Sequence, residues 1–302
     1  MTMQSDSTLA TTARVGEAVP SFAFDPGDPW TVTFQTGLAR AGLTGRRVYE
    51  VGVGSGANIA FMLRFCGAAM VLGSDLDPRL PLLAQQLVAE VAPDLVNRFR
   101  PIPGSVSLID TPVAMGEVTG VDAVVACLPQ VPDPDDALYT RFHLTQLASA
   151  AALRDRVADH LAHYYPWTAF QEYPFNALGL GLNEALLRRV RACAPQAQVV
   201  LNFGCRIGKR VLFALFEANH YRPEELASCI VRQHPGTDIS FFVAVEAAMR
   251  GTGYEQDVVC EFYADPAGSH RLSATEAKLL LDADPTTSVY HEISVLRGNP
   301  AA

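Results

Sequence analysis

Lysine is almost absent from this 302-residue chain: it occurs only at Lys209 and Lys278, and arginine supplies the remaining positive charge. That skew looks like a coding bias and says nothing about function. Basic residues are scarce altogether, with 23 Lys+Arg against 32 Asp+Glu and a formal net charge of -9. This disfavours a partner held through its phosphates, because nucleic-acid binding needs a basic surface that releases counterions. No apolar run approaches the roughly 18 residues that span a bilayer, so no membrane partner is expected. The opening MTMQSDSTLATTAR also lacks the apolar core of a signal peptide. The six cysteines (Cys66, Cys127, Cys193, Cys205, Cys229, Cys260) form no CxxC pair and have no histidine at zinc-site spacing. They read as buried thiols in a reducing cytoplasm, with no metal expected.

With 49% hydrophobic residues the chain can bury one substantial core carrying appendages. Residues 1–45 read as an N-terminal arm and strap, Ser/Thr/Ala-rich and then broken by Pro20, Pro26 and Pro29. From about 46 to 250, strand-length apolar runs alternate with helical patterns: Arg47–Val53, Met70–Leu76, Val121–Leu128, Gln198–Phe203 and Ile239–Glu246. Such alternation predicts an α/β fold whose mostly parallel sheet has helices on both faces. The last run is expected as an antiparallel edge strand. An insertion at about 130–197 carries the aromatic stretch HYYPWTAFQEYPFN and ends in a helix bounded by Gly181 and Pro195. Residues 251–302 read as a C-terminal extension covering the site, with a helix over Ser273–Leu281 opened by the capping-box pattern Ser273-Ala-Thr-Glu276.

The segment VYEVGVGSGANIA, residues 48–60, is a strand running into Gly52, Gly54 and Gly56 and then a helix. Glycines here let a ligand approach the backbone and permit positive φ, although a dinucleotide site or a plain tight turn carries the same signal. The next strand ends in Asp75, nineteen residues after Gly56, where a carboxylate can accept from two ribose hydroxyls. Asp77, just before Pro78, competes as a turn or helix-start residue. The third glycine falls one residue earlier than in a NAD fingerprint, which points to S-adenosylmethionine (SAM) and makes a dehydrogenase the minority reading. A third strand stops at Cys127-Leu-Pro-Gln130, and its carboxyl end borders the ligand in folds of this kind. Pro129 also suffices simply to end a strand.

The ordered blocks Glu50-Val-Gly-Val-Gly-Ser-Gly56, Gly73-Ser-Asp75, Gly104-Ser105, Ala126-Cys-Leu-Pro-Gln-Val131, Leu178–Leu182, Asn202-Phe-Gly204, Arg206-Ile-Gly208, Thr237–Ser240 and His291–Val295 resemble the methyltransferase domain of plant methionine S-methyltransferase over about 46–297. That resemblance implies a class I SAM-methyltransferase, Rossmann-like fold with a seven-stranded sheet. It also implies a cofactor site of Glu50, Gly52, Gly54, Gly56, Asp75, Ser105, Val106 and Cys127. The plant protein carries a further aminotransferase-like domain, and this chain is expected to be a stand-alone member. Stand-alone bacterial relatives implied by the resemblance include free L-arginine N-methyltransferases of nitrosourea biosynthesis. Many amino methyltransferases have Asn-Pro-Pro-Tyr where this chain has Cys127-Leu-Pro-Gln130, so that amine-binding geometry is not transferred.

Methyl transfer from a sulfonium is a direct displacement, and the enzyme's task is alignment and exclusion of water. A thioether needs no base, whereas a guanidinium needs carboxylates that favour loss of its proton. Glu172 and Glu292 are the catalytic candidates for that role, and each also reads as a solvated acid. Pro129, Gln130, Tyr164, Phe170, Tyr173, Arg206 and His291 are the candidate substrate contacts; Tyr165 and Trp167 belong to the same aromatic set, which serves equally as packing or as a cation–π box. Arg206 and Lys209 are candidates to pair with an α-carboxylate. His291, His163 and His143 lie in no catalytic motif. The reading is a methyltransferase acting on a small free amino acid, L-arginine first and L-methionine second. A SAM-binding protein without catalysis is the third reading, and a homodimer is compatible with all three.

Overall fold

The computed structural model describes residues 27–130, 173–234, 237–253, 255–284 and 286–301. Glu172, Tyr164, Tyr165, Trp167, Phe170, His163 and His143 lie outside the described residues. Five short runs, four of them almost wholly buried, become parallel strands: β1 (Arg47–Val51), β2 (Met70–Ser74), β3 (Phe99–Pro101), β4 (Ala123–Ala126) and β5 (Gln198–Gly204). They lie side by side in the order β3-β2-β1-β4-β5. Strands buried on both faces show continuous apolar runs instead of alternation, which is why β1, β2, β4 and β5 are legible in the sequence; the three-residue β3, with Arg100 exposed, is not among the expected strands.

Two long antiparallel strands complete the sheet: β6 (Tyr221–Arg232) and, lying between it and β5, β9 (Tyr290–Pro300). Two-residue strands β7 (Phe262–Tyr263) and β8 (Arg271–Leu272) continue from the start of β9. The sheet thus has nine strands among the described residues, and seven of them, β3-β2-β1-β4-β5-β9-β6, form the sheet the resemblance implied. Residues 251–302, expected as a covering extension, supply β9, which lies within the central sheet between β5 and β6.

The run Ile239–Glu246, expected as the antiparallel strand, is instead helical, over Ser240–Met249. Asp238 Oδ1 accepts from Ser240 N at 2.8 Å and from Ser240 Oγ at 2.7 Å, a side-chain turn that opens the helix. Phe241 and Val245, four residues apart, are its buried positions. The strands that take the expected place were hidden by polar residues. In β6 the pairing register also shifts between Glu225 and Ala227, so its apolar alternation breaks.

Side chains of one strand alternate between faces, and two cores result. α1 (Pro29–Arg40), α2 (Ala57–Arg64) and α3 (Leu80–Val91) pack with Val48, Val71, Val125, Val200 and Val295. α4 (Pro112–Val118), α5 (Gly181–Cys193), α6 (Lys209–Ala218), α7 (Ser240–Met249) and α8 (Ala274–Ala283) pack with Tyr49, Leu72, Val124, Leu201 and Leu296. The capping box of α8 forms as expected: Glu276 N donates to Ser273 Oγ at 3.1 Å, and Ser273 N to Glu276 Oε2 at 2.8 Å.

The strap helix α1 starts at Asp28, whose Oδ2 accepts from Thr31 N at 3.0 Å, with Pro29 in the first turn. Gly37 lets it lie close on the sheet, since a Cβ there would sit 2.4 Å from Val295 Cγ1. This close packing fixes the height of Trp30 over the carboxyl ends of the strands.

Candidate functional site

At the carboxyl end of β1 the chain turns through Gly52, Gly54 and Gly56 at φ 74°, 49° and 80°. Only glycine takes these angles without steric cost. A Cβ at Gly54 would meet nothing within 4 Å, whereas one at Gly56 would lie 2.5 Å from Ala84 Cβ. Gly54 therefore faces open space where a ligand fits, and Gly56 lets α2 seat against α3. The two roles were indistinguishable in the motif.

Two carboxylates flank this turn. Asp75, 3% exposed, accepts from Gly54 N and Asp77 N, both at 3.1 Å; burial raises its pKa, and these backbone donors oppose the rise. Asp77 is instead closed onto Arg79, accepting at 2.9 and 3.1 Å from its Nε, so of the two candidates Asp75 is the one tied to the glycine turn. Glu50, 1% exposed, accepts from Asn58 Nδ2 at 3.3 Å through Oε1, while its Oε2 has no partner. Burial, with Asp75 nearby, pushes its pKa up to about 8. A buried carboxylate oxygen with no donor is unfavourable by about 1–3 kcal/mol, and an ammonium from a ligand would satisfy it. Ser105 Oγ donates to Leu76 O at 2.7 Å and Val106 N to Asp75 O at 2.9 Å, which places both residues beside the β2 terminus.

The register carries the same line across the sheet. Ala126 pairs with Leu201, so Cys127, just past β4, stands opposite Asn202 of β5, and Asn202 Nδ2 lies 3.7 Å from Cys127 Sγ. The same Nδ2 reaches Trp30 O at 3.5 Å. Gln130 clamps the next turn of β5: Gly204 N donates to its Oε1 at 2.6 Å, and its Nε2 donates to Gly204 O at 3.0 Å. That double bond gives Gln130 a positioning task, and Pro129 lies exposed beside it. His291 of β9 is 2% exposed, its ring 5.9 Å from that of Trp30. Asp75, Glu50, Cys127, Asn202 and His291 thus form one row along the carboxyl edge, on the α1 side.

Glu292, the neighbour of His291 in a strand, points to the other face. Its Oε1 accepts from Lys209 Nζ at 2.8 Å, and Lys209 also bonds Glu225 at 2.9 and 3.1 Å. Tyr173 precedes the 3-10 turn Pro174–Leu178, with the Arg188 guanidinium 4.7 Å from its ring centre. Trp30, Asn58, Asn202 and Gly204 were not among the predicted site residues. A polar Asn202 inside the apolar run VVLNFG was the available signal; Trp30 carried none. Among the described residues no three His, Cys, Asp or Glu side chains group to hold a metal ion, and no helix is long and apolar enough to cross a membrane.

Comparison with known proteins returns no matching family model. Methionine S-methyltransferase of Hordeum vulgare is 26% identical over 273 residues, covering 86% of this chain and 23% of that protein. The Arabidopsis thaliana protein of the same name is 26% identical over 242 residues, 76% of this chain and 22% of its own length. The chain thus spans less than a quarter of the curated relatives it matches. Among solved structures, YcgJ protein from Bacillus subtilis superimposes with a TM-score of 0.43 at 11% identity, covering 89% of this chain and 98% of that one. Geranyl diphosphate C-methyltransferase from Streptomyces coelicolor A3(2) gives 0.39 at 11% identity, with 90% and 79% covered. At that level these likenesses carry no argument about the reaction. The sequence relatives agree with the resemblance read from the ordered blocks, and the strand order fits the fold it implied.

Proposed function

We propose that this chain is a SAM-dependent methyltransferase acting on the side chain of a small free amino acid, with the thioether sulfur of L-methionine as the favoured acceptor. The cofactor reading rests on the glycine turn and its two buried carboxylates. Gly54 leaves room for close approach, Asp75 suits paired ribose hydroxyls, and the unpartnered Glu50 Oε2 suits an ammonium. SAM, when bound, supplies an electrophilic methyl group whose transfer requires no nucleophile from the protein. Cys127 and Asn202 lie next along the same edge, with Trp30 beside Asn202, where the acceptor would meet the methyl group.

The observation that supports this choice of acceptor is the pairing of Glu292. The arginine reading needs free carboxylates to align a guanidinium and favour its deprotonation. Glu292 is held by Lys209, which Glu225 also holds, and Glu172 lies outside the described residues. A thioether has a free lone pair at neutral pH and makes no such demand. The curated relatives named methionine S-methyltransferase support the same choice.

The test is mass spectrometry of the protein with SAM and the twenty free amino acids. A single added methyl on methionine is expected. Methylated arginine alone would overturn the acceptor while leaving the reaction class standing; no transfer to any amino acid, with SAM bound, would leave the non-catalytic reading.

A further inference from the structure

Beyond the cofactor turn, the same edge of the sheet holds three side chains with unmet hydrogen-bonding capacity. Asn202 is 2% exposed, and its Oδ1 accepts no hydrogen bond. Neither ring nitrogen of His291 has a partner, although the residue is 2% exposed. Arg206 is half-buried, its Nε has no partner, and no carboxylate among the described residues pairs with it; its guanidinium lies 5.8 Å from the Phe242 ring centre. Buried polar groups are normally satisfied, so three orphans in one neighbourhood point to a ligand.

Gly204 ties them together. A Cβ there would lie 3.1 Å from Trp30 Cη2, 3.3 Å from Arg206 Nη2 and 3.3 Å from Gln130 Oε1. The strand is bare where the indole and the guanidinium converge, and alternation puts Asn202 on the same face as Gly204. Lys209, the other cation considered for this role, is spent on Glu225 and Glu292.

We infer that Asn202, Arg206 and His291, gathered around Gly204 and Trp30, form a subsite that reads the zwitterionic backbone of a free α-amino acid. Arg206 takes the α-carboxylate, Asn202 Oδ1 accepts from the α-ammonium, and His291 donates a hydrogen bond to the carboxylate. His291 can do so without adding charge: burial and the Arg206 cation keep its pKa well below 6.5. Arg206 stays charged, since burial lowers its pKa only to about 10. This rests on the amino-acid methyltransferase reading. It adds that free amino acids are taken and carboxyl-blocked ones, including residues followed by a peptide bond, are refused.

The test compares L-methionine with L-methioninamide, and L-arginine with L-argininamide, as acceptors for the wild type and for Arg206→Gln. The wild type is expected to prefer the free acid by on the order of 10²-fold in kcat/KM, as sites built around a charged hydrogen-bond partner do. Arg206→Gln should raise KM for the free acid by a similar factor, change kcat by less than about threefold and erase the preference over the amide. Arg206→Lys should restore part of it. SAM affinity, measured by calorimetry, should be the same in all three proteins, which shows that the variants are folded. Equal use of acid and amide by the wild type, or a preference that survives Arg206→Gln, would overturn the subsite while leaving the methyltransferase standing. If neither amino acid is bound or turned over although SAM binds, the subsite and the amino-acid reading both fall.

Discussion

Around the glycine turn of β1 the backbone supplies the geometry. Gly54 N and Asp77 N hold Asp75, and the glycine turn, its helix and its first carboxylate all lie within residues 50–64. Around β5 and β9, by contrast, the surface is assembled from side chains of four distant segments: Trp30, Cys127–Gln130, Asn202–Arg206 and His291. It also keeps orphan polar atoms on Asn202, Arg206 and His291. The difference teaches that a cofactor common to many enzymes can be held by a local backbone device, whereas an acceptor is read by groups that only the fold brings together.

The contrast is broken most severely within the glycine turn itself. Gly56→Ala places a Cβ 2.5 Å from Ala84 Cβ at φ 80°, combining left-handed strain with overpacking. It is expected to destabilise the fold by about 2–5 kcal/mol, read as a lower urea midpoint at unchanged slope. Gly54→Ala, where nothing lies within 4 Å, should cost only about 1–2 kcal/mol of fold stability yet still weaken SAM binding. Equal losses in both variants would mean that the turn is structural throughout.

Next in size is a pH effect on the cofactor half. Glu50 has its pKa raised from 4.5 to about 8, burial being the main cause. The folded protein therefore holds a proton that the unfolded chain releases, and stability without ligand falls as pH rises from about 4.5 toward 8. A bound ammonium beside Glu50 reverses the preference and expels that proton. SAM affinity should accordingly strengthen by up to about tenfold per pH unit below 8 and level off above it; Glu50→Gln should flatten the dependence. A wild-type affinity independent of pH between 6 and 8 would remove Glu50 from the ammonium site.

Asp75→Ala should weaken SAM binding by about 1–3 kcal/mol through lost hydrogen bonds to the ribose. KM for the amino acid should stay unchanged at saturating SAM, because the two halves touch different ligands. The smallest effect is expected for Glu292→Gln. Its pair with Lys209 is partly exposed, and such pairs contribute about 0–1 kcal/mol, so turnover of methionine should change by less than about threefold. A fall on the order of 10²-fold would return Glu292 to acid–base work and reopen the guanidine reading.

Four strands of the parallel half, β1, β2, β4 and β5, were legible because they are buried on both faces and punctuated by glycine and proline; the short, half-exposed β3 was not. The antiparallel half was not. Strand β6 alternates irregularly through its bulge, and the apolar stretch at Ile239 follows the helical period after the Asp238–Ser240 side-chain turn. Asp75 is preferred to Asp77 from the sequence because Asp77 precedes Pro78, and the hydrogen bonds separate the two acids further, Asp75 on Gly54 N and Asp77 on Arg79.

By itself the sequence determined the glycine turn, the acid that follows it and the alternation of strands with helices. These depend on local backbone freedom and on apolar periodicity, both written in adjacent residues. Only the tertiary structure decided that Trp30 of the strap meets His291 of the last strand and that Lys209 occupies Glu292. It also decided that Asn202, Arg206 and His291 share one neighbourhood with their polar atoms unpartnered. Those facts depend on strand register and on a close helix–sheet approach at Gly37, which bring together residues up to 261 positions apart.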